Sequence, residues 1–168
     1  MSNDPSHLSR VSGLFIGDSM LGGIDETRLP DTKVRVKPGA SIEDMFFQIT
    51  PYLRKNPTNI ICHVRTNNAK YNGSNEIMEK LVKLKEYIVS LCPTAKVVFS
   101  SLIVRTDDVN AAKVVKETNS KLCHLDTPLV DNSNITKDHL GRKGLHMNNG
   151  GTRMLASNLI IMLRAFGT

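Results

Sequence analysis

The first residues placed to do chemistry stand at the end of an apolar run. Leu14-Phe15-Ile16 is followed by Gly17-Asp18-Ser19. The glycine lets the backbone turn sharply, and the hydroxyl after it can act as a nucleophile if a base lies within reach. The same tripeptide also reads as an N-cap serine opening a helical turn. The candidate base lies far along the chain, in Gly144-Leu145-His146-Met147-Asn148. Imidazole is the side chain best suited to take a proton near neutral pH. A single histidine also fits an ordinary surface position bonded to backbone.

The elements that must position these groups alternate. Apolar stretches at 13–16, 34–36, 59–64, 96–102 and 127–130 read as strands. The third, Asn59-Ile-Ile-Cys-His-Val64, is apolar on both faces, as a buried parallel strand should be. Helical spacing appears between the strands. Ser41-Ile-Glu-Asp44 resembles a capping box, opening a helix that carries Ile42, Met45, Phe46 and Ile49 and then meets Pro51. Residues 75–91 carry Ile77, Leu81, Leu84, Ile88 and Leu91 in one stripe. Further helices are expected at 107–122 and at 151–165, the last facing inward through Leu155, Leu159 and Met162. Such alternation implies right-handed crossovers onto a parallel sheet covered on both faces. Ligands of such sheets bind beyond the carboxyl ends of the strands. Ser19, the Gly39 segment, Thr66-Asn67-Asn68 and residues 139–146 all follow strands, so four loops converge on one rim. Residues 1–10 read as a flexible N-terminal segment and 11–168 as a single domain.

Composition narrows the classes. The net charge of +6 would allow weak association with RNA or an anionic membrane. The basic residues are scattered, though, and few aromatics are available to stack bases. Cys62, Cys92 and Cys123 stand about 30 residues apart, unlike the closely grouped ligands of a zinc site. They read as free thiols in a reducing compartment. No metal site and no cofactor is expected, since phosphate-loop and dinucleotide glycine motifs are both missing. The chain shows no apolar signal core and no run long enough to cross a bilayer, which suggests a cytoplasmic location.

In order, the blocks resemble the SGNH (GDSL-like) hydrolase superfamily. Phe15-Ile16-Gly17-Asp18-Ser19 is similar to its first block and Pro38-Gly39-Ala40-Ser41 to its glycine block. Val64-Arg65-Thr66-Asn67-Asn68 is similar to its Gly-x-Asn-Asp block, and Gly144-Leu145-His146-Met147-Asn148 to its last. The segments 130–135, 139–146 and 63–69 also resemble esterase domains of LINE-type (non-LTR) retrotransposon first-open-reading-frame proteins. The resemblance implies a three-layer α/β/α flavodoxin-like fold with a parallel five-stranded sheet. It further implies a carboxylic ester hydrolase acting on short acyl esters or lipids. Ser19 would be the nucleophile and His146 the base, with the N–H groups of Ser19 and Gly39 and the Asn67 amide as the oxyanion hole. The alternative is a catalytically degenerate domain serving as a lipid- or nucleic-acid-associated accessory module.

Two positions depart from the family pattern. Lys143 stands where the family has an acid three residues before the histidine, and lysine cannot accept a bond from imidazole. The group orienting His146 must then be Asp138, Asp131 or a main-chain carbonyl near Lys143. The reading favoured is a Ser–His dyad oriented by a carbonyl. Arg65 replaces a glycine; it would narrow the pocket, bind an anionic group of the substrate, or point to solvent. His63 reads as a core-edge histidine with its bonds satisfied, and His124 and His139 as surface or structural. Oligomeric state is not visible in the sequence.

Overall fold

The computed structural model describes residues 12–29, 31–64 and 68–166. Five strands form one parallel sheet: β1 (Gly13–Gly17), β2 (Thr32–Val36), β3 (Asn59–His63), β4 (Lys96–Ser100) and β5 (Leu129–Val130). Their order, β2-β1-β3-β4-β5, is that of the flavodoxin-like doubly wound sheet. The pairing register makes all five strands stop in one row. Val36 lies beside Gly17, Gly17 beside His63, His63 beside Ser100, and Ser100 beside Val130. Every loop that carries a candidate functional residue therefore starts from one edge.

Strand alternation sorts the core into two layers. Leu14, Ile16, Ile60, Cys62, Val97 and Phe99 face α1 (Ile42–Leu53), α3 (Ser74–Leu91) and α4 (Val109–Leu122). Phe15, Ile61 and Val98 face α5 (Asn149–Ala165) and the 3-10 turn Ser19–Gly23. The result is the expected three-layer α/β/α arrangement. A short helix, α2 (Asn68–Tyr71), precedes α3. Burial holds the Cys62 thiol up at about 12, so it is inert; Cys92 is also buried and Cys123 exposed.

The capping box forms in full. The Asp44 backbone N–H donates to Ser41 Oγ, and Ser41 N–H donates to Asp44 Oδ2 at 2.8 Å. Beyond it α1 runs on through Pro51 to Leu53. The hydrogen bond lost at Pro51 is offset by Leu53, whose side chain is buried in the core. β4 stops at Ser100, earlier than expected, because the Asn119 amide takes both backbone groups of Leu102. β5 keeps only two residues; Pro128 before it has no N–H to give a ladder. Helix starts are set by side-chain caps, Asp108 for α4 and Asn148 for α5. Leu91 proves exposed at the end of α3, and Leu163 rather than Met162 completes the buried row of α5 with Leu155 and Leu159. The expected flexible segment 1–10 lies outside the described residues.

The open edge of β2 is held by Glu26, which accepts from Val34 N–H at 2.8 Å and pairs with Arg35 and Lys33. An edge strand guarded in this way is shielded from other chains. The Val34 hydrogen bond does most to lower the Glu26 pKa; burial opposes it, and the bond from Lys33 and the charges of Arg35 and Lys33 add to the lowering. A depressed carboxylate pKa contributes stability above its unfolded value that is lost as pH falls through the folded one. Glu26→Gln should therefore cost about 1 kcal/mol near neutral pH, measured by denaturant unfolding. The difference from wild type should vanish as pH drops below the ordinary glutamate range.

Candidate active site

The turn after β1 is built by Asp18, not Ser19. Asp18 is fully buried and its Oδ1 accepts the Met20 N–H at 3.0 Å, making it the N-cap of the turn Ser19–Gly23. The capping alternative for Ser19 is thereby overturned: a different side chain does that work. Ser19 is the first residue of the turn and is exposed. Its backbone N–H enters no hydrogen bond among the described residues. Gly17 permits the arrangement because a Cβ there would lie 2.6 Å from the His63 carbonyl oxygen and 2.9 Å from Leu21.

Gly39 is brought alongside by the β2 exit. Lys37 N–H donates to the Gly17 carbonyl, and Ala40 N–H closes a turn onto the Lys37 carbonyl. With Pro38 second and Gly39 third at φ +74°, this is a type II turn, whose third position requires glycine. The Gly39 N–H, like that of Ser19, takes part in no other hydrogen bond among the described residues. Arg65, Thr66 and Asn67 lie outside the described residues.

His146 is carried by a loop tied at both ends. Gly141 N–H donates to the His146 carbonyl at 2.7 Å, Leu140 bridges to Met147, and Asn148 N–H donates to the His139 carbonyl. The Asn148 amide also donates to the Asp138 carbonyl. Gly144, at φ +67°, presses on the segment after β4; Thr106 N–H donates to its carbonyl, and a Cβ there would meet Thr106 Oγ1 at 2.2 Å. Arg105 braces that segment with two bonds to Asp107. These bonds hold the Asp107 pKa down, against a smaller upward effect of burial. The turn bearing Ser19 packs against the start of α5, with Gly23 so close to Thr152 that a Cβ would collide with it. Ser19 and His146 thus share the rim, but no hydrogen bond joins them.

The imidazole of His146 is exposed and bonds no other described residue. Neither acid considered for it bonds the ring among the described residues. Asp131 accepts from Ser133 N–H in a local turn, and the Asp138 carboxylate is exposed without a bond to the ring. Lys143 is exposed. His139 is structural, its Nδ1 accepting the Thr136 N–H, and His124 is exposed. His63 differs from expectation. It is buried and only half satisfied: Nδ1 bonds Ser100 Oγ at 2.9 Å, while Nε2 has no hydrogen-bond partner among the described residues. Among the described residues no cluster could hold a metal ion, and no helix is long and apolar enough to cross a membrane.

No protein-family model matches the chain, and no curated protein does. Solved structures match it along most of its length. A member of the lipolytic G-D-S-L family from Veillonella parvula is 18% identical, with a TM-score of 0.70 over 89% of this chain and 96% of that one. A GDSL-like lipase from Bacteroides thetaiotaomicron is 11% identical, with a TM-score of 0.76 over 93% and 89%. The chain has the SGNH hydrolase fold. A carbohydrate esterase of family 3 from Talaromyces cellulolyticus shares that fold at 15% identity, with a TM-score of 0.74 over 93% and 97%. The SGNH frame puts Ser19 and His146 after its first strand and before its last helix.

Gly144→Ala should cost about 1–3 kcal/mol through the strained φ and the crowded Cβ. Denaturant unfolding measures it. The substitution should also loosen residues 141–147, seen as faster amide exchange there than in α5.

Proposed function

We propose that the chain is a serine-dependent carboxylic ester hydrolase of the SGNH class. The observation that carries this reading is a pair of N–H groups, on Ser19 and Gly39, that enter no hydrogen bond among the described residues and lie beside an exposed serine hydroxyl. Donors already fixed before substrate arrives are what a developing oxyanion requires. In this reading Ser19 Oγ attacks the ester carbonyl carbon while His146 takes its proton. The tetrahedral oxyanion is held by the Ser19 and Gly39 N–H groups and the Asn67 amide. It collapses to an acyl-serine as His146 returns the proton to the departing alcohol. Water, deprotonated by His146, then attacks the acyl-serine; the acid leaves and Ser19 recovers its proton. Catalytic hydrogen bonds are often long in free enzymes and tighten with substrate, so the open Ser19–His146 arrangement fits the scheme.

Lys143 in place of an acid supports a dyad, with His146 oriented by a main-chain carbonyl once engaged. Short acyl esters or lipids are the proposed substrates, and the titles of the solved relatives, a lipase and an esterase among them, are in keeping with that class. The likeness of residues 130–135 and 139–146 to LINE-type esterase domains supports a retrotransposon-encoded setting. There the basic surface would add weak RNA or anionic-membrane contact, recognisable by steep salt dependence.

Hydrolysis of a chromogenic acetate ester tests the scheme. Ser19→Ala and His146→Ala should each lower kcat/KM at least about a thousandfold with folding unchanged. Equal turnover in Ser19→Ala would show that another group attacks. A wild-type protein that neither turns over nor takes a fluorophosphonate at Ser19 would identify the accessory-module alternative.

A further inference from the structure

A groove opens between α4 and the segment that leaves β5, the edge strand of the sheet. Its volume is about 880 Å³, inside the span of about 300–1,000 Å³ that takes small ligands. β4 ends at the rim and α4 runs back from it, so Ala112 marks the rim end of the groove and Cys123 the far end. Between them the helix rises about 16 Å, at about 1.5 Å per residue, the length of an extended alkyl chain of about twelve carbons. β3 stands between β1 and β4, so the exit of β4 lies about 10 Å from the strand that carries Ser19. The groove is thus separate from the candidate active site.

Its floor offers apolar surface. Leu102, Val115 and Ile135 line it and are themselves buried. The polar groups among them are spent inside the protein. The Asn119 amide bonds both backbone groups of Leu102. Asn132 N–H donates to Ser101 Oγ, and the Asn132 amide donates to Ser100 Oγ and the Ser101 carbonyl while accepting from Asn158. A nucleotide or a peptide would find few partners there; an alkyl chain needs none. The walls carry charge. Lys116 and Lys137 line the groove and are exposed. Neither lysine enters an ion pair or a side-chain hydrogen bond among the described residues. The third charged group of the lining, Asp131, accepts the Ser133 N–H through its carboxylate. Two cations against one carboxylate favour an anionic ligand.

We propose that this groove binds a free medium-chain fatty carboxylate, with the alkyl chain along α4 and the head group held by the charge of Lys116 and Lys137. Apolar length sets the chain, and the uncompensated cations set the head. The site does not depend on ester cleavage at Ser19.

Cys123 supplies a reporter at the far end. It is exposed while Cys62 and Cys92 are buried, so a maleimide marks it first. Monomeric decanoate should slow that reaction at least about fivefold at saturation, because access governs thiol reactivity. Titration calorimetry should return the same affinity. Decanol should bind about tenfold more weakly than decanoate, and Lys116→Glu with Lys137→Glu should erase that difference. Ala112→Trp and Ser120→Trp, at two heights on the α4 wall, should each abolish the binding heat with the melting temperature unchanged. No protection and no heat, equal affinity for decanoate and decanol, or binding that survives both tryptophans overturns the proposal. So does binding that disappears once a fluorophosphonate occupies Ser19, which would put the carboxylate in the ester site. Binding to phosphatidylglycerol vesicles without binding to decanoate also overturns it, in favour of a membrane surface. Saturable decanoate binding by a chain that cleaves no ester upholds the groove while the esterase reading fails.

Discussion

Everything at the rim depends on five parallel strands ending in one row, Val36–Gly17–His63–Ser100–Val130. Three members of that row are not apolar bulk. Gly17 has no side chain, and His63 and Ser100 are buried polar groups joined to one another. Buried polar atoms persist when they find partners: His63 Nδ1 and Ser100 Oγ bond one another and Asn132 donates to Ser100, while His63 Nε2 has no hydrogen-bond partner among the described residues. The row sets the height from which each loop starts. Through Gly17 it also sets how sharply the first loop turns.

The loops are then held by their own backbone accounting rather than by bulk. Asp18 satisfies Met20, and the Ser19 N–H enters no hydrogen bond among the described residues. The type II turn at Pro38-Gly39 presents another N–H beside it that is likewise unbonded among the described residues. The His146 loop is closed by Gly141 and Asn148 and pinned by Gly144 against Thr106. In the proposed reading, rigid donors and a tethered base on separate elements form a site organised before its ligand arrives, the arrangement electrostatic catalysis calls for. The exposed His146 ring is the freest part of it, and the position three residues earlier holds a lysine.

The sheet was legible in the sequence because buried parallel strands leave apolar runs, and α3 because its stripe repeats at helical spacing. Strand and helix ends were less legible. They are decided by side chains that reach across the chain, as Asn119 does to end β4, or by single caps such as Asp108. The candidate site could be read only as an ordered set of blocks, not as geometry. Which residue caps the first turn could not be told from Gly-Asp-Ser, since Asp and Ser both cap well. The polar line under His63 was missed altogether. His63 and Ser100 are 37 positions apart and Ser100 and Asn132 are 32 apart, and strand register is what brings them together. A serine and a histidine ending adjacent apolar strands were the available signal.

The account as a whole stands on Ser19 attacking beneath two backbone donors. The most direct measurement is a crystal structure of the protein after reaction with a phosphonate ester. The account predicts a covalent bond to Ser19 Oγ, with the phosphonyl oxygen within hydrogen-bonding distance of the Ser19 and Gly39 N–H groups. An adduct on another residue, or on Ser19 with that oxygen turned to solvent, would contradict it.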